Sequence, residues 1–340
     1  MELMQACAQV KKRLEQLDFH SFWPGFAPCP FAIYDSEFAV LDGKQMPRPE
    51  GFYANTALEH EGRWIAIWKL EEGTDLDILA SKLVHEMFHA FQYTRGESRF
   101  PKEMEALFTY GMEPEYFAMK YEEDLTLAGL CEAYLPEGYR HFLKIRAGRK
   151  AAYPLQYAYD SAIECIEGTA QYVELMALKA LAPEKYARAC GRLLTRLKDP
   201  KGMVPVRPLC YDAGAALLLL CKEQGLPVCM EVGVVDTYLV EVPPVTQKTA
   251  LPAHEQVRRE IQERREAFSR LIQTAAMRAP LAQGDFKLLG GNVYSAMYME
   301  GYVYTEYFLM YEGETGAVTL EGNFLLEMAG RRIRTIWRLD

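Results

Sequence analysis

In the stretch 76–94, LDILASKLVHEMFHAFQYT, the apolar residues Leu76, Leu79, Leu83, Met87, Ala90 and Phe91 recur at steps of three and four. That spacing gathers them on one stripe of an α-helix facing a core. Thr74 and Asp77 are placed to cap its first turn. Helical spacing continues through most of residues 74–278, and prolines at 101, 154, 183 and 252 fall near helix starts. There a fixed φ and a missing N–H cost nothing. The run AALLLLC (215–221) reads as a buried helix and is far too short to span a bilayer. Ahead of this region, residues 2–17 read as a short amphipathic helix. Residues 31–40, 51–56 and 63–70 read as strands, the last two joined by the turn EHEG (59–62). After GDF (284–286) the pattern changes to NVYSAMYM, GYVYTEYFLMYE, GAVTLEG, NFLLEM and RRIRTIWRL. These aromatic and β-branched segments between glycines predict a small antiparallel sheet or partial barrel. The expected class is α+β, in three consecutive parts: an N-terminal α/β part over 1–73, a mostly helical domain over 74–282, and a C-terminal antiparallel β unit over 283–340.

Asp and Glu outnumber Lys and Arg by 47 to 38 in 340 residues, a net charge of −9. Nucleic-acid binding calls for a basic face, and nothing in the pattern supplies one. No membrane binding is expected either. Charges interrupt the N-terminal MELMQACAQVKKRLEQLDF, so it does not read as a secretion signal. The eight cysteines, Cys7, Cys29, Cys131, Cys165, Cys190, Cys210, Cys221 and Cys229, form no C-x-x-C pair and lie in apolar stretches. Buried thiols in a reducing cytoplasm are the expectation.

Three pieces carry chemistry. The first is His85-Glu86-Met87-Phe88-His89. On a helix the two histidines stand at i and i+4 and project from one face, so both imidazoles can reach one zinc ion. Glu86 can then contact a water on the same metal. The second is EGTAQYVEL (167–175), in a segment where Asp160, Glu164, Glu167, Gln171 and Glu174 recur at steps of four and three as one polar stripe. For Asp160 or Glu174 alone a solvated face is the simpler reading. Gly168 argues against a bland stripe, because glycine inside a helix costs about 1 kcal/mol against alanine. Close approach of another helix would explain it, and Glu167 as a zinc ligand needs such an approach. Glutamate also completes a two-histidine, one-carboxylate set that leaves a fourth position for water. The third piece is YDAGAALLLL (211–220), with Tyr211 expected at the start of a buried helix, where its side chain can point into a cleft. His20, His60, His141 and His254 stand in no ligand spacing and read as structural or surface residues.

Together these pieces resemble the gluzincins, zinc peptidases that take two histidines from HExxH and a glutamate further on. EGTAQY is similar to the glutamate-glycine-x-alanine stretch of alanyl-aminopeptidase-like enzymes, and YDAG to their tyrosine-x-x-glycine, in the same order along the chain. The resemblance implies a zincin-like catalytic domain with one zinc per chain held by His85, His89 and Glu167. It implies Glu86 as general base and Tyr211 as hydrogen-bond donor to the oxyanion. It also implies a peptide or protein substrate lying along an edge strand ahead of the HExxH helix. Glu164 and Gln171, three before and four after Glu167, are expected to contact the ligating histidines from behind. The gap from His89 to Glu167 is much longer than in alanyl-type enzymes, which implies a helical insertion or another subfamily's layout.

The segment Gly51, Phe52, Tyr53, Ala54, Asn55 stands where alanyl-type enzymes carry glycine-x-methionine-glutamate-asparagine. Gly51 and Asn55 match, and the glutamate that holds a free α-amine there is Ala54 here. Alanine cannot accept a charged hydrogen bond, worth about 1.5–3 kcal/mol. The expectation is that the backbone of 51–55 binds an extended peptide as an added strand, with no dedicated grip on an N-terminus. Two other readings stay open: a zinc hydrolase that is not a peptidase, and a catalytically silent peptide-binding protein on the same fold. The sequence sets no oligomeric state.

Overall fold

The computed structural model describes residues 2–228, 254–313 and 316–339. Cys229 and Pro252 lie outside the described residues. The class is α+β, and the chain forms two compact units. Unit 1 comprises residues 1–100, 162–196 and 210–241; unit 2 comprises 101–161, 197–209 and 242–340. The three consecutive parts expected from the pattern are therefore not how the chain divides. A change of periodicity marks a change of element type, whereas a unit is set by which apolar faces bury one another.

In unit 1, helices α1 (Leu3–Leu14) and α2 (Phe19–Phe22) precede the strands β1 (Phe31–Tyr34), β2 (Phe38–Leu41), β3 (Lys44–Pro47), β4 (Thr56–His60) and β5 (Arg63–Lys69). The sheet order is β3-β2-β1-β5-β4. β1 runs parallel to β5, and the remaining pairs are antiparallel. Glu61 and Gly62, both at positive φ, make the two-residue turn between β4 and β5, as the EHEG stretch predicts. The strand expected at 51–56 starts instead at Thr56, and residues 51–55 form turn and loop. Phe52 is buried there, the Tyr34 hydroxyl donates to the Ala54 carbonyl, and Asn55 Oδ1 accepts from the Lys69 amide. Those contacts tie the loop to the Tyr34 side chain of β1 and to the backbone of β5.

Helix α3 (Leu76–Thr94) follows and packs on β4 and β5. Its cap is Asp75, whose carboxylate accepts from the amides of Asp77 and Ile78, rather than Thr74. Thr74 donates its hydroxyl to the Glu71 carbonyl. In unit 2, α4 (Glu103–Thr109), α5 (Pro114–Glu132) and α6 (Pro136–Ala152) come next, two of them opened by proline. Helix α7 (Pro154–Ile163), a π-turn (Glu164–Gly168) and α8 (Thr169–Leu181) then form one helical run. It is followed by α9 (Pro183–Leu197) and α10 (Val206–Gln224). In α10 the residues Ala215, Ala216, Leu217, Leu218, Leu220 and Cys221 are all buried, as their run predicts. Among the described residues no helix is long and apolar enough to cross a membrane.

Unit 2 ends with α11 (Glu255–Ala276) and seven strands: β6 (Ala282–Gly291), β7 (Met297–Met299), β8 (Tyr302–Thr305), β9 (Phe308–Gly313), β10 (Gly316–Glu321), β11 (Phe324–Ala329) and β12 (Arg332–Arg338). They form one antiparallel sheet in the order β10-β9-β6-β12-β11-β8-β7. The sheet agrees with the expected antiparallel unit, with β6 added where GDF reads as a boundary. Leu288, Val303, Leu309, Phe324, Leu326, Ile333 and Ile336 form its core with Leu107 of α4. Unit 2 also buries the ionic cluster Arg146, Arg149, Glu123 and Asp160, each nearly inaccessible to solvent.

Candidate metal centre

The candidate metal group is built on two helices of unit 1 packed along each other, α3 and α8 with its π-turn. α3 presents His85 and His89 on one face, their rings 4.8 Å apart. Glu167, inside the π-turn, directs Oε2 to His89 Nε2 at 3.1 Å and to His85 Nε2 at 3.6 Å. The three ligand atoms lie within 4.8 Å of one another, and this group could hold a metal ion.

Each histidine is oriented from behind. His85 Nδ1 meets Glu174 Oε2 at 3.1 Å, and His89 Nδ1 meets Gln92 Oε1 at 2.8 Å. With both Nδ1 atoms engaged, both Nε2 atoms face Glu167, the arrangement ligating imidazoles require. Glu174 is held in turn by Lys82, whose ammonium lies 2.9 Å from Oε1. Gln92 Nε2 donates to the Ile166 carbonyl and to Thr169 Oγ1. It therefore satisfies a backbone oxygen of the π-turn while its own oxygen fixes His89.

These outer contacts correct the sequence expectation. Gln171 is turned away and donates to Asp212 Oδ1 at 2.7 Å. Glu164 is buried, but the groups on the two histidines are Glu174 and Gln92. Asp160 and Glu174 are not solvated either. Asp160 is buried in unit 2, where it accepts from Tyr110, Tyr116 and Arg149, and Glu174 is buried behind His85. The π-turn is the physical reason. It adds one residue to the helical run, and one residue is about 100° of rotation at 3.6 residues per turn. The stripe that an unbroken helix would present is thereby split between two directions.

Gly168 has the role its position predicts. A Cβ there would stand 2.7 Å from the Cα of Gly214, 3.1 Å from its carbonyl carbon and 3.3 Å from the Ala215 nitrogen. Two helix backbones therefore meet at Gly168 and Gly214, which carries α10 close enough to bring Tyr211 beside His85. The Tyr211 ring lies nearly parallel to that of His85, with centroids 6.3 Å apart and planes 21° apart. Tyr211 sits in the second turn of α10 rather than at its start, because the helix begins at Val206.

The electrostatics follow from burial among carboxylates. Burial alone would depress the His85 pKa, but Glu167, Glu174 and then Glu86 outweigh it and raise it to about 10. Burial likewise opposes ionisation of Glu167, yet His89 and His85 hold its carboxyl well below the usual range. Glu174 is lowered against burial chiefly by Lys82. Glu86 is itself buried. Glu167, Glu174 and Glu86 thus gather negative charge around the His85 imidazole. Tyr93, near the end of α3, has its hydroxyl pKa raised by burial and then by Glu167 and Glu86. Its ring stacks on Trp64 of β5 at 4.3 Å and on Phe100 at 4.7 Å, tying the sheet to the end of the histidine helix.

The sequence reading missed Glu174, Gln92, Lys82 and this aromatic stack. Gln92 stands three residues after His89 on the same helix face, a signal that could have found it. Glu174 stands seven after Glu167, two turns on, where only the π-turn decides what it faces. Comparison of the chain with protein-family models, with curated protein sequences and with solved structures returns no match.

Proposed function

We propose that this chain is a zinc-dependent peptidase of the gluzincin type. In that reading Glu86 is the general base, and His85, His89 and Glu167 are the ligands. The observation that carries it is the convergence of both Nε2 atoms on the Glu167 carboxylate with Glu86 beside them. A tetrahedral ion with bonds of about 2.0–2.2 Å sets its ligand atoms roughly 3.4 Å apart, and the two carboxylate–imidazole separations are 3.1 and 3.6 Å. The donor set, two imidazoles and one carboxylate, leaves a fourth position for water. Zinc bound there would polarise the scissile carbonyl and lower the pKa of water.

Glu86 would take the proton of the attacking water and deliver it to the leaving amine. Tyr211 would donate its hydroxyl to the oxygen that becomes negative; one such donor is typically worth about 2.7–4 kcal/mol. Glu174 and Gln92 would keep the two rings in register. The zincin-like fold belongs to the same proposal. In its favour, unit 1 has a sheet that ends in the outer strand β4, and α3 packs on that sheet. An extended peptide would pair with the outer edge of β4, the position first expected for residues 51–55. Ala54 still offers no carboxylate for a free α-amine, which favours cleavage within chains.

The test is cleavage of a mixed peptide library by the full chain, with and without a zinc chelator, beside metal analysis. The expected result is one zinc per chain and chelator-sensitive hydrolysis, with Glu86→Gln keeping the zinc and losing hydrolysis. Tight zinc binding with no peptide cleaved would overturn the peptidase reading in favour of a binding protein.

A further inference from the structure

Behind the α3–α8 pair, on the side of Lys82 rather than of the histidine Nε2 atoms, an open cleft of about 260 Å³ is lined by α3, α8 and α9. Five cations line it: Lys82, Lys185, Arg188, Arg192 and Arg196, against the carboxylates of Asp75 and Glu174. In a chain of net charge −9 this concentration of positive charge is local and one-sided. Arg188, Arg192 and Arg196 are spaced four apart on α9, so they share one face.

Three of the cations have acidic partners at hydrogen-bond distance. Lys82 holds Glu174, Lys185 holds Asp75 and Asp77, and Arg196 forks onto Asp212. The other two are not so matched. Arg188 approaches only the exposed Glu184, at 4.0 Å, and Arg192 has no carboxylate within ion-pair distance among the described residues. The cleft is smaller than the roughly 300–1,000 Å³ of pockets for drug-sized ligands. A space of that size beside guanidinium forks suits a small ion with several acceptor oxygens.

We propose that this cleft binds a free oxyanion of the phosphate class on Arg188, Arg192 and Lys82, and that the bound anion strengthens metal binding at His85. The link is a chain of two contacts, Lys82 to Glu174 and Glu174 to His85 Nδ1. An anion that draws on the Lys82 ammonium leaves more of the Glu174 charge for His85, and its own charge attracts the metal ion. Both effects have the same sign. Thermodynamic linkage requires the reverse effect to be equal, so metal must tighten anion binding by the same factor.

The experiment titrates inorganic phosphate into the full chain by calorimetry, metal-free and zinc-loaded, with chloride at matched ionic strength as control. One phosphate per chain is expected, bound about fivefold more tightly by the zinc-loaded protein, the low end of typical coupling. Arg188→Ser with Arg192→Ser should weaken phosphate at least tenfold while leaving zinc content unchanged. Neither arginine touches the metal group, so this result stands whether or not the chain cleaves peptides. Equal phosphate affinity in the double variant would place the anion away from these arginines and overturn the proposal. So would an equal effect of chloride, or no saturable heat. Phosphate binding that zinc leaves unchanged would overturn the coupling.

Discussion

Gly168→Ala is the sharpest perturbation of the proposed centre, because two effects of known size oppose each other there. Alanine inside a helix is favoured over glycine by about 1 kcal/mol. Against that, the new Cβ would stand 2.7 Å from the Cα of Gly214. Ordinary carbon contacts lie at about 3.5–4.0 Å, so α10 must retreat from the π-turn by roughly 1 Å. Overpacking of this kind costs about 1–3 kcal/mol. Here both surfaces are backbone, with no side chain to rotate aside, so the upper half of that range applies. The net expectation is a loss of about 1–2 kcal/mol. Gly191→Ala in α9 is the control, since its Cβ would meet nothing within 4 Å and the position is exposed. It should gain up to about 1 kcal/mol. Urea midpoints at constant slope read the difference. Glu167 adjoins Gly168 in sequence, and Tyr211 lies three residues before Gly214. The retreat would separate them, and turnover should fall about a hundredfold, as misplacements of 1 Å do. If Gly168→Ala stabilises the protein as Gly191→Ala does and keeps its zinc affinity, the glycine contact is not what positions Tyr211.

Three more outcomes follow from the same geometry. Glu174→Gln keeps the shape behind His85 but removes the charge, and zinc affinity by chelator competition should fall about 10–100-fold; unchanged affinity would remove Glu174 from the centre. Tyr211→Phe should lower kcat by about 10²–10³ with little shift in Tm, and a wild-type rate would leave Tyr211 as packing. The His85 pKa, raised from 6.5 to about 10 in the metal-free protein, means that metal must displace a proton. Zinc affinity should therefore rise about tenfold per pH unit between pH 6.5 and 10, with one proton released in calorimetry across buffers. The same raised pKa stabilises the metal-free fold fully below pH 6.5, a contribution lost as pH rises towards 10.

The candidate ligands were legible because their signals are local. A step of four from His85 to His89 fixes a shared face whatever the rest of the fold does. A glycine inside a helical pattern likewise has few explanations besides close approach, and Gly168 meets Gly214. What was not legible depends on a backbone irregularity or on distant segments. The stripe from Asp160 to Glu174 is regular in sequence, yet the π-turn at Glu164–Gly168 turns its two ends to different partners. Residues 51–56 read as a strand from the sequence. Their side chains and carbonyls bind back onto Tyr34 and Lys69 instead, and pairing starts at Thr56. No window of sequence shows a partner strand, so β4 could be recognised and its first residue could not.

The long gap between His89 and Glu167 has an architectural explanation in the division of the chain. Of the intervening residues, 101–161 belong to unit 2, together with 197–209 and the C-terminal sheet. The helices between the two candidate ligand segments thus belong largely to a unit with its own core, in which α4 contributes Leu107 to the sheet's apolar cluster. A helix pair such as α3 and α8 needs only to be adjacent in space, and a separately folded insertion between them costs little once its ends are close, since loop-closure entropy grows only logarithmically with length. Unit 1 can therefore hold all three ligands, Glu86, Tyr211 and the contacts behind them on its own segments. If so, the ion-binding geometry depends on the packing of α3, α8 and α10, and Gly168 facing Gly214 is the point in that packing with the least room to move.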